Sequence, residues 1–281
     1  MNGLYSVIRY ELNLDLRKKK AMAVFGMVVF FAVCFSLLIP KYANGTFFTY
    51  RPEAWDWMYT VAEEFDTIVA GLFGLITGGL LSVDSIAGEF ENGTISRLYS
   101  LPINRWEIYF GKVIEKIAMF TILSLITIVL SISINTAVSG IQSDFSWLPY
   151  FILGYVLSLT SYAAISFMFG SAIKNSSLTF TALFAAWIFS DIAYFFIVFR
   201  HGFSLIIDAM PYINFSEVLP AGFLMFLDHG GSISLTMQVL GSFKTYEVPA
   251  SLYVASILAS SIAELSLFLM LGYIVFRRGD L

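Results

Sequence analysis

Six long apolar stretches dominate the pattern of hydrophobic and polar positions along this 281-residue chain. An α-helix needs about 20 mostly apolar residues to cross a bilayer, and each stretch is close to that length or longer. None of them carries Lys or Arg away from its ends. The pattern therefore predicts an all-α integral membrane protein with six transmembrane helices in a single domain, residues 21–281. The predicted spans are residues 21–39, 67–83, 117–138, 149–173, 178–199 and 250–276.

The stretch 203–227 is also apolar, but it does not fit a transmembrane helix. Pro211 and Pro220 interrupt it, and Asp208 and Glu217 place charges within it. Each uninterrupted piece is too short to cross a bilayer as a helix. We therefore predict re-entrant or interfacial helices here, on the external side between the fifth and sixth spans.

The basic residues are distributed unevenly between the two ends of the predicted spans. Twelve of the 16 Lys and Arg residues lie in residues 1–20, 84–116, 174–177 and 277–281. Cytoplasmic loops of membrane proteins carry an excess of Lys and Arg. The distribution predicts a multi-pass protein of the cell membrane whose N- and C-termini are both cytoplasmic.

The N-terminal segment, residues 1–20, has an amphipathic pattern. Leu4, Ile8, Leu12 and Leu16 are spaced four apart and form one apolar stripe on a helix, with basic side chains off the stripe. Such a helix is expected to lie on the cytoplasmic membrane surface, where Lys and Arg hold it against anionic lipid. The alternative is a helix packed on the rest of the protein.

The composition excludes several classes of protein. Hydrophobic residues make up 58% of the chain and charged residues 13%, whereas a soluble domain has about 25% charged residues. The net charge is −4 and no basic stripe dominates, which argues against a nucleic-acid partner. Cys34 is the only cysteine, so a disulfide within the chain and a thiolate metal cluster are both excluded.

Motifs for catalysis are missing from the sequence. Gly111-Lys112 is followed by Val113 and lacks the upstream glycine of a phosphate-binding loop. The two histidines, His201 and His229, do not form a zinc motif. We therefore expect no enzyme, no metal site and no cofactor bound by this chain.

The segment between the second and third spans contains clear turn and helix signals. Asn92-Gly93 is a turn signal that ends the helix descending from the second span. Thr94 can then cap a short helix that runs to about Ser100, and Pro102 stops it. The sequence thus predicts a short helix lying across the ends of two transmembrane helices.

A second helix start follows Pro102. Asn104 and Glu107 have the spacing of a capping box, which predicts that a helix begins at Arg105 and continues into the third span. We expect Ile95 and Leu98 of the preceding short helix, with Leu101, to be exposed and to form a docking surface for a partner.

These residues resemble the signature of type-2 ABC-transporter (ABC-2 type) permeases, six-span subunits that work with a separate ATPase. The order and spacing of the motif match over about 30 residues, with Arg97 standing where the family usually has a hydrophobic residue. The gross layout also resembles the permease of the transporter used in nitrous-oxide reductase maturation. The matching positions are Glu89, Glu91, Gly93, Thr94, Leu98, Pro102, Arg105, Gly111 and Lys112.

The resemblance implies a specific assembly. Residues 94–101 would form a coupling helix seated in a cleft of the partner ATPase, residues 174–177 with Lys174 would make a second contact, and residues 1–20 would form the elbow helix. Two copies of this chain would pair with two ATPases, which bind ATP and Mg. The resemblance favours export over import.

Two acidic residues fall inside the predicted spans. A carboxylate at the centre of a bilayer is costly and usually faces protein or water. Asp191 and Glu264, with Ser260 one turn before Glu264, either line a translocation path or make hydrogen bonds between helices. An ion-coupled carrier or channel that uses Asp191 and Glu264 is thus one alternative to the ABC permease. A membrane scaffold that transports nothing is another.

Overall fold

The computed structural model describes residues 3–43, 74–100, 102–139, 148–201, 232–239 and 242–279. A π-helical turn, Leu75–Gly79, leads directly into the third helix, and two strands, β1 (Ser232–Val239) and β2 (Ser242–Pro249), precede the last. The helices are α1 (Gly3–Arg17), α2 (Lys19–Ala43), α3 (Leu80–Glu91), α4 (Ile95–Tyr99), α5 (Arg105–Ser139), α6 (Leu148–Ile173), α7 (Ser176–His201) and α8 (Ala250–Arg278).

The long helices lie where the apolar stretches predict them. The starts of α6 and α8 agree with the predicted fourth and sixth spans to within one residue, whereas α5 begins 12 residues before the predicted third span. That extension carries α5 to the turn that ends the short helix α4. The predicted segment 203–227 lies outside the described residues, as does the first part of the predicted second span.

Length and composition single out two described stretches as able to cross a membrane. These are Arg105–Ile134 of α5 and Tyr155–Ile173 of α6. A shorter apolar helix, Ser176–Phe189, belongs to α7. The arrangement of all six predicted spans in a membrane stays a prediction.

Helix α6 is the centre of the described bundle. Helices α3, α5, α7 and α8 all pack against it, while α1 and α2 pack along α5. Close contact between the second span and α6 depends on glycine. A Cβ at Gly74 would lie 2.8 Å from Cε2 of Tyr162, and one at Gly78 would lie 3.0 Å from the carbonyl oxygen of Leu159. A larger residue at Gly78 would press on the backbone of α6 and push the two helices apart, whereas one at Gly74 would displace the Tyr162 ring.

A β-hairpin is the exception to the predicted all-α class. Strands β1 and β2 are antiparallel, with Ser232 paired to Pro249 and Val239 paired to Ser242. Apolar residues alternate with Ser, Thr and Gln throughout β1, and this period of two is typical of a strand and not of a helix. The described bundle is helical, as predicted, and the hairpin adds β structure to the stretch before the last span.

Helix α1 faces the protein with a side that the apolar stripe did not predict. Val7, Glu11 and Asp15 are its buried residues, whereas Leu16 of the predicted stripe is 45% exposed and Tyr10 is 57% exposed. The physical reason is that lysines of α5 provide partners for the two acids, so this acidic side packs inward. Leu4, Ile8 and Leu12 of the stripe are half-buried, while Tyr5, Tyr10, Leu14 and Leu16 are exposed.

Candidate functional site

The turn after α3 has the predicted position and geometry. Gly93 has a φ of 67°, a left-handed conformation that side chains with a Cβ rarely adopt. A Cβ at this position would meet no atom within 4 Å, so the backbone conformation alone requires glycine. Asn92 closes the helix by donating from its side-chain amide to the carbonyl oxygen of Gly88 at 2.8 Å.

The start of α4 differs in detail from the prediction. Thr94 occupies the N-cap position but makes no side-chain capping hydrogen bond. Its φ of −72° and ψ of −20° are already helical, whereas a capping residue usually has an extended backbone. The hydroxyl of Thr94 instead donates weakly to the carbonyl oxygen of Glu89 at 3.4 Å.

The start of α5 agrees with the predicted capping box in one of its two hydrogen bonds. Oε2 of Glu107 accepts from the backbone N–H of Asn104 at 3.0 Å. The side-chain amide of Asn104 donates to the same oxygen at 3.4 Å. Glu107 thus satisfies a donor that the first turn of a helix leaves unpaired, and α5 begins at Arg105 as predicted.

The short helix α4 has a buried inner side and an exposed outer side. Ile95 is only 2% exposed and packs in a core cluster with Ile108 and Phe276, so the prediction that Ile95 is exposed is wrong. The reason is that apolar side chains of α5, α6 and α8 form a cluster against which α4 packs. Leu98 is half-buried against the same cluster, and Leu101 lies outside the described residues. The outer side consists of Ser96, Arg97 and Ser100, all exposed, followed by exposed Pro102.

Lys112 joins three helices from inside the protein. Its side chain is 0% exposed, and its Nζ lies 2.6 Å from Oε1 of Glu11 and 2.7 Å from Oε1 of Glu89. These two acids belong to α1 and α3, so a single ammonium group of α5 ties both helices to it. Gly111 makes room for this approach, because a Cβ there would lie 2.7 Å from Cγ1 of Val7. Lys112 therefore has no free surface for direct contact with a partner.

A second ion pair lies one turn further along α5. Lys116 is 0% exposed and pairs with Asp15, which also pairs with Lys18 at 2.6 Å. Burial raises the pKa of Asp15, but the ammonium groups of Lys116 and Lys18 outweigh it and hold the pKa below its ordinary value. We refer to Glu11, Asp15, Glu89, Lys112 and Lys116 as the buried ion cluster.

Glu89 is a member of the buried ion cluster whose pKa shifts in the opposite direction to that of Asp15. Burial, reinforced by the nearby carboxylate of Glu11, raises the pKa of Glu89 in spite of its ion pair with Lys112. Two carboxylates share one ammonium group at this point, and a proton on Glu89 relieves their repulsion.

Glu91 connects α3 to the turn between α6 and α7. Its side chain is exposed, and Oε2 accepts from the backbone N–H of Ser176 at 2.9 Å, at the start of α7. Nζ of Lys174 lies 5.0 Å from the ring centroid of Phe90, which is within the range of a cation–π interaction. The structure thus brings the predicted second contact, residues 174–177, next to the end of α3.

Arg105 turns toward the last helix. Its guanidinium lies 4.6 Å from the centroid of the Tyr99 ring, and Nη1 donates to the carbonyl oxygen of Arg277 at 2.5 Å. Arg105 and Arg277 are 172 residues apart in the sequence, and no local signal in the sequence indicates this contact.

Glu264, one of the predicted translocation residues, is far from this region. Glu264 is half-buried on α8, 12 residues before Phe276, which corresponds to about 18 Å along a helix. Oε2 of Glu264 is buried and has no hydrogen-bond partner among the described residues. Asp191 and Ser260 lie in α7 and α8, but their side chains lie outside the described part of the structure. Within the part of the chain that is described, no group of three or more His, Cys, Asp or Glu is arranged to hold a metal ion.

The comparisons with known proteins agree with the motif at α4. The family described as ABC-2 family transporter protein matches residues 15–281, which is nearly the whole chain. No curated protein matches the sequence significantly. Members of this family are membrane permeases of ABC transporters, and membership implies an ATP-binding cassette ATPase as partner. The chain belongs to the ABC-2 family of transporter proteins.

Proposed function

We propose that this chain is the permease subunit of an ABC exporter and that its ATPase docks on the outer side of α4. The observation that carries the proposal is the two-sided character of this short helix. Its inner side is anchored in the core by Ile95, 2% exposed, while Ser96, Arg97 and Ser100 face outward. A partner that moves α4 therefore moves the helix ends beneath it.

The surroundings of α4 support its role in transmitting movement. It lies between α3 and α5 in the chain, and Lys112 locks these two helices together through its ion pair with Glu89. Glu89 and Lys112 belong to the family signature. In this proposal they act by keeping α3 and α5, the helices on either side of α4, in a fixed arrangement. Glu91 adds the turn at 174–177 to the same unit through its bond to Ser176.

The proposed assembly contains two copies of this chain and two ATPases, which bind and hydrolyse ATP with Mg. The end of the bundle that carries α4 and both termini faces the cytoplasm, and the protein lies in the cell membrane. The unequal distribution of Lys and Arg supports this orientation. Export, and the likeness to the nitrous-oxide reductase maturation permease, remain predictions from the resemblance. A carrier or channel that uses Asp191 and Glu264 is the rival.

Co-expression with candidate ATP-binding cassette subunits tests the docking site. The tagged chain is purified from membranes, and the bound ATPase is quantified. We expect Arg97→Glu to reduce the recovered ATPase by about tenfold or more, because a tenfold loss of affinity needs only about 1.4 kcal/mol and a charge reversal inside an interface costs at least that much. The matched control is Lys19→Glu, which makes the same charge change at an exposed position away from α4.

The control should retain full ATPase recovery, and both variants should reach the membrane in normal amounts. Equal recovery with Arg97→Glu and Lys19→Glu would contradict docking on α4. Transport that proceeds without any ATPase, and that Glu264→Gln abolishes, would favour the carrier or channel instead. ATPase binding without stimulated ATP turnover in any tested condition would favour the scaffold.

A further inference from the structure

An aromatic cluster joins the short helix α4 to the end of α8. Phe276 of α8 is 0% exposed. Its ring centroid lies 5.8 Å from that of Tyr99, 6.1 Å from that of Phe90 and 5.4 Å from that of Tyr109. The interplanar angle of 74° with Tyr99 is an edge-to-face arrangement, which is favourable for aromatic pairs. This one side chain of the last span therefore lies against α3, α4 and α5.

Arg105 makes the same connection through polar groups. The final carbonyl oxygens of a helix have no partner within the helix, and one of them, on Arg277, accepts from Nη1 of Arg105 at 2.5 Å. The planar guanidinium also lies over the ring of Tyr99, 4.6 Å from its centroid. A lysine cannot stack and donate with the same fixed geometry. Arg105 thus binds both α4 and the end of α8.

Helix α8 contacts α4 in the folded protein, but it is not joined to α4 through neighbouring residues of the sequence. Helices α3 and α5 are joined to α4 through short turns, whereas α8 lies at the other end of the sequence. It also packs along α6, where Gly272 lies close against Met168 and the hydroxyl of Tyr109. Among the described residues, Ile95 and Leu98 of α4 add apolar packing against the same cluster, but the aromatic and polar contacts between α4 and the end of α8 meet at Arg105, Tyr99 and Phe276.

We propose that Arg105 and Tyr99 are positioning residues that transmit the movement of the coupling helix to the last transmembrane helix, α8. This inference rests on the proposed function, since it requires an ATPase docked on α4. It assigns Arg105 of the family signature to a contact within the permease, in place of a contact with the partner. Glu264 lies on α8, the helix that receives the movement, about 18 Å along the helix from Phe276.

Fluorescent labels on two helices test this proposal. The experiment uses the full chain with its bound ATPase in lipid vesicles, with Cys34→Ser removing the only cysteine. Bimane is attached at Met270→Cys on α8 or at Val129→Cys on α5, positions that are 66% and 60% exposed. Emission is compared without nucleotide and with ATP and vanadate. We expect an emission shift at both positions in the parent protein.

The variant Arg105→Met should lose most of the shift at position 270 and keep the shift at 129, because α5 is still joined to α4 through the chain. A second pair of variants guards against misfolding. Tyr99→Phe keeps the ring and should retain the shift at 270, whereas Tyr99→Leu removes the ring that contacts both Arg105 and Phe276 and should lose it. A purely structural role would lower the shift at both positions together.

The outcomes separate this inference from the proposed function. An unchanged shift at 270 in both Arg105→Met and Tyr99→Leu would overturn the inference and leave the proposed function standing. So would a parent protein that responds at 129 but not at 270. A parent that responds at neither position would contradict coupling through α4 itself, and the inference would fail with it.

Discussion

The buried ion cluster and the outer side of α4 are neighbouring parts of one region, and they treat charge in opposite ways. In the cluster, Lys112 and Lys116 are 0% exposed; Lys112 pairs with Glu11 and Glu89, and Lys116 pairs with Asp15, all on other helices. On α4, Arg97 is exposed. A charge removed from water is costly unless it is paired, so the cluster holds one arrangement of α1, α3 and α5. The exposed side has no such constraint and is free to meet a partner. The segment 89–112 thus combines buried charges that are paired within the protein with an exposed charge at Arg97.

The largest expected effect comes from leaving the buried ion cluster with an unpaired charge. Lys112→Met removes the ammonium group between Glu11 and Glu89 and leaves two buried carboxylates without it. We expect a loss of about 3–5 kcal/mol in stability, measured as a lower midpoint of thermal unfolding in detergent. The exposed Lys19→Met is the matched control and should change the midpoint little.

A compensating variant sharpens this prediction. Combining Lys112→Met with Glu11→Gln and Glu89→Gln removes the uncompensated charges, so most of the lost stability should return. If the single variant Lys112→Met unfolded at the parent midpoint, the cluster would not be what holds these helices together.

A smaller effect is expected where α1 approaches α5. Gly111→Ala places a Cβ 2.7 Å from Cγ1 of Val7, and this overpacking should cost about 1–3 kcal/mol. Thermal unfolding measures the loss. The double variant Gly111→Ala with Val7→Ala removes the clashing methyl groups and should recover part of it. No recovery in the double variant would mean that α1 does not pack on Gly111.

The smallest expected effect is a pH dependence of stability. It arises from the buried ion cluster and not from α4. The pKa of Asp15 is lowered in the folded protein because Lys116 and Lys18 outweigh the effect of burial. The stability that Asp15 contributes is therefore present above its ordinary value of 3.8 and is lost as the pH falls through the folded value. Acidification should loosen α1 from α5.

Bimane at Leu14→Cys on α1, in the Cys34→Ser protein, reports this loosening as an emission change below pH 3.8, the ordinary value for Asp15. The same label at Arg97→Cys should show no transition there. Asp15→Asn should remove the pH-dependent change on α1. Emission from α1 that stays constant down to about pH 2 would contradict the ion pairs of Asp15 as the attachment of this helix.

Local signals in the sequence predicted the outline of this region well. Asn92-Gly93, Pro102 and the pair Asn104 and Glu107 lie within a few residues of the structures they determine, and α3 and α5 end and begin where they indicate. These signals act through hydrogen bonds and backbone angles between near neighbours. The alternation in β1 is an equally local signal for a strand, which the predicted all-α class does not include.

The exposed or buried state of the same residues could not be predicted locally. Ile95 was expected to face a partner, yet it is buried because α5, α6 and α8 converge beneath α4. Lys112 and Glu11 are 101 residues apart, and in sequence each is only one charge among several. Pairing across such distances depends on which helix faces lie together, and a single sequence does not contain that information.

The sequence by itself determined that this protein has long apolar helices, that one end of them is basic, and that a short helix follows the turn at Gly93. The physical reason is that span length, charge distribution and turn conformation depend on residues close together in the chain. Only the tertiary structure decided that Lys112 ties α1 and α3 to α5 through Glu11 and Glu89, and that Arg105 reaches the end of α8. Those roles depend on desolvation and on contacts between distant segments, which exist only once the helices have packed.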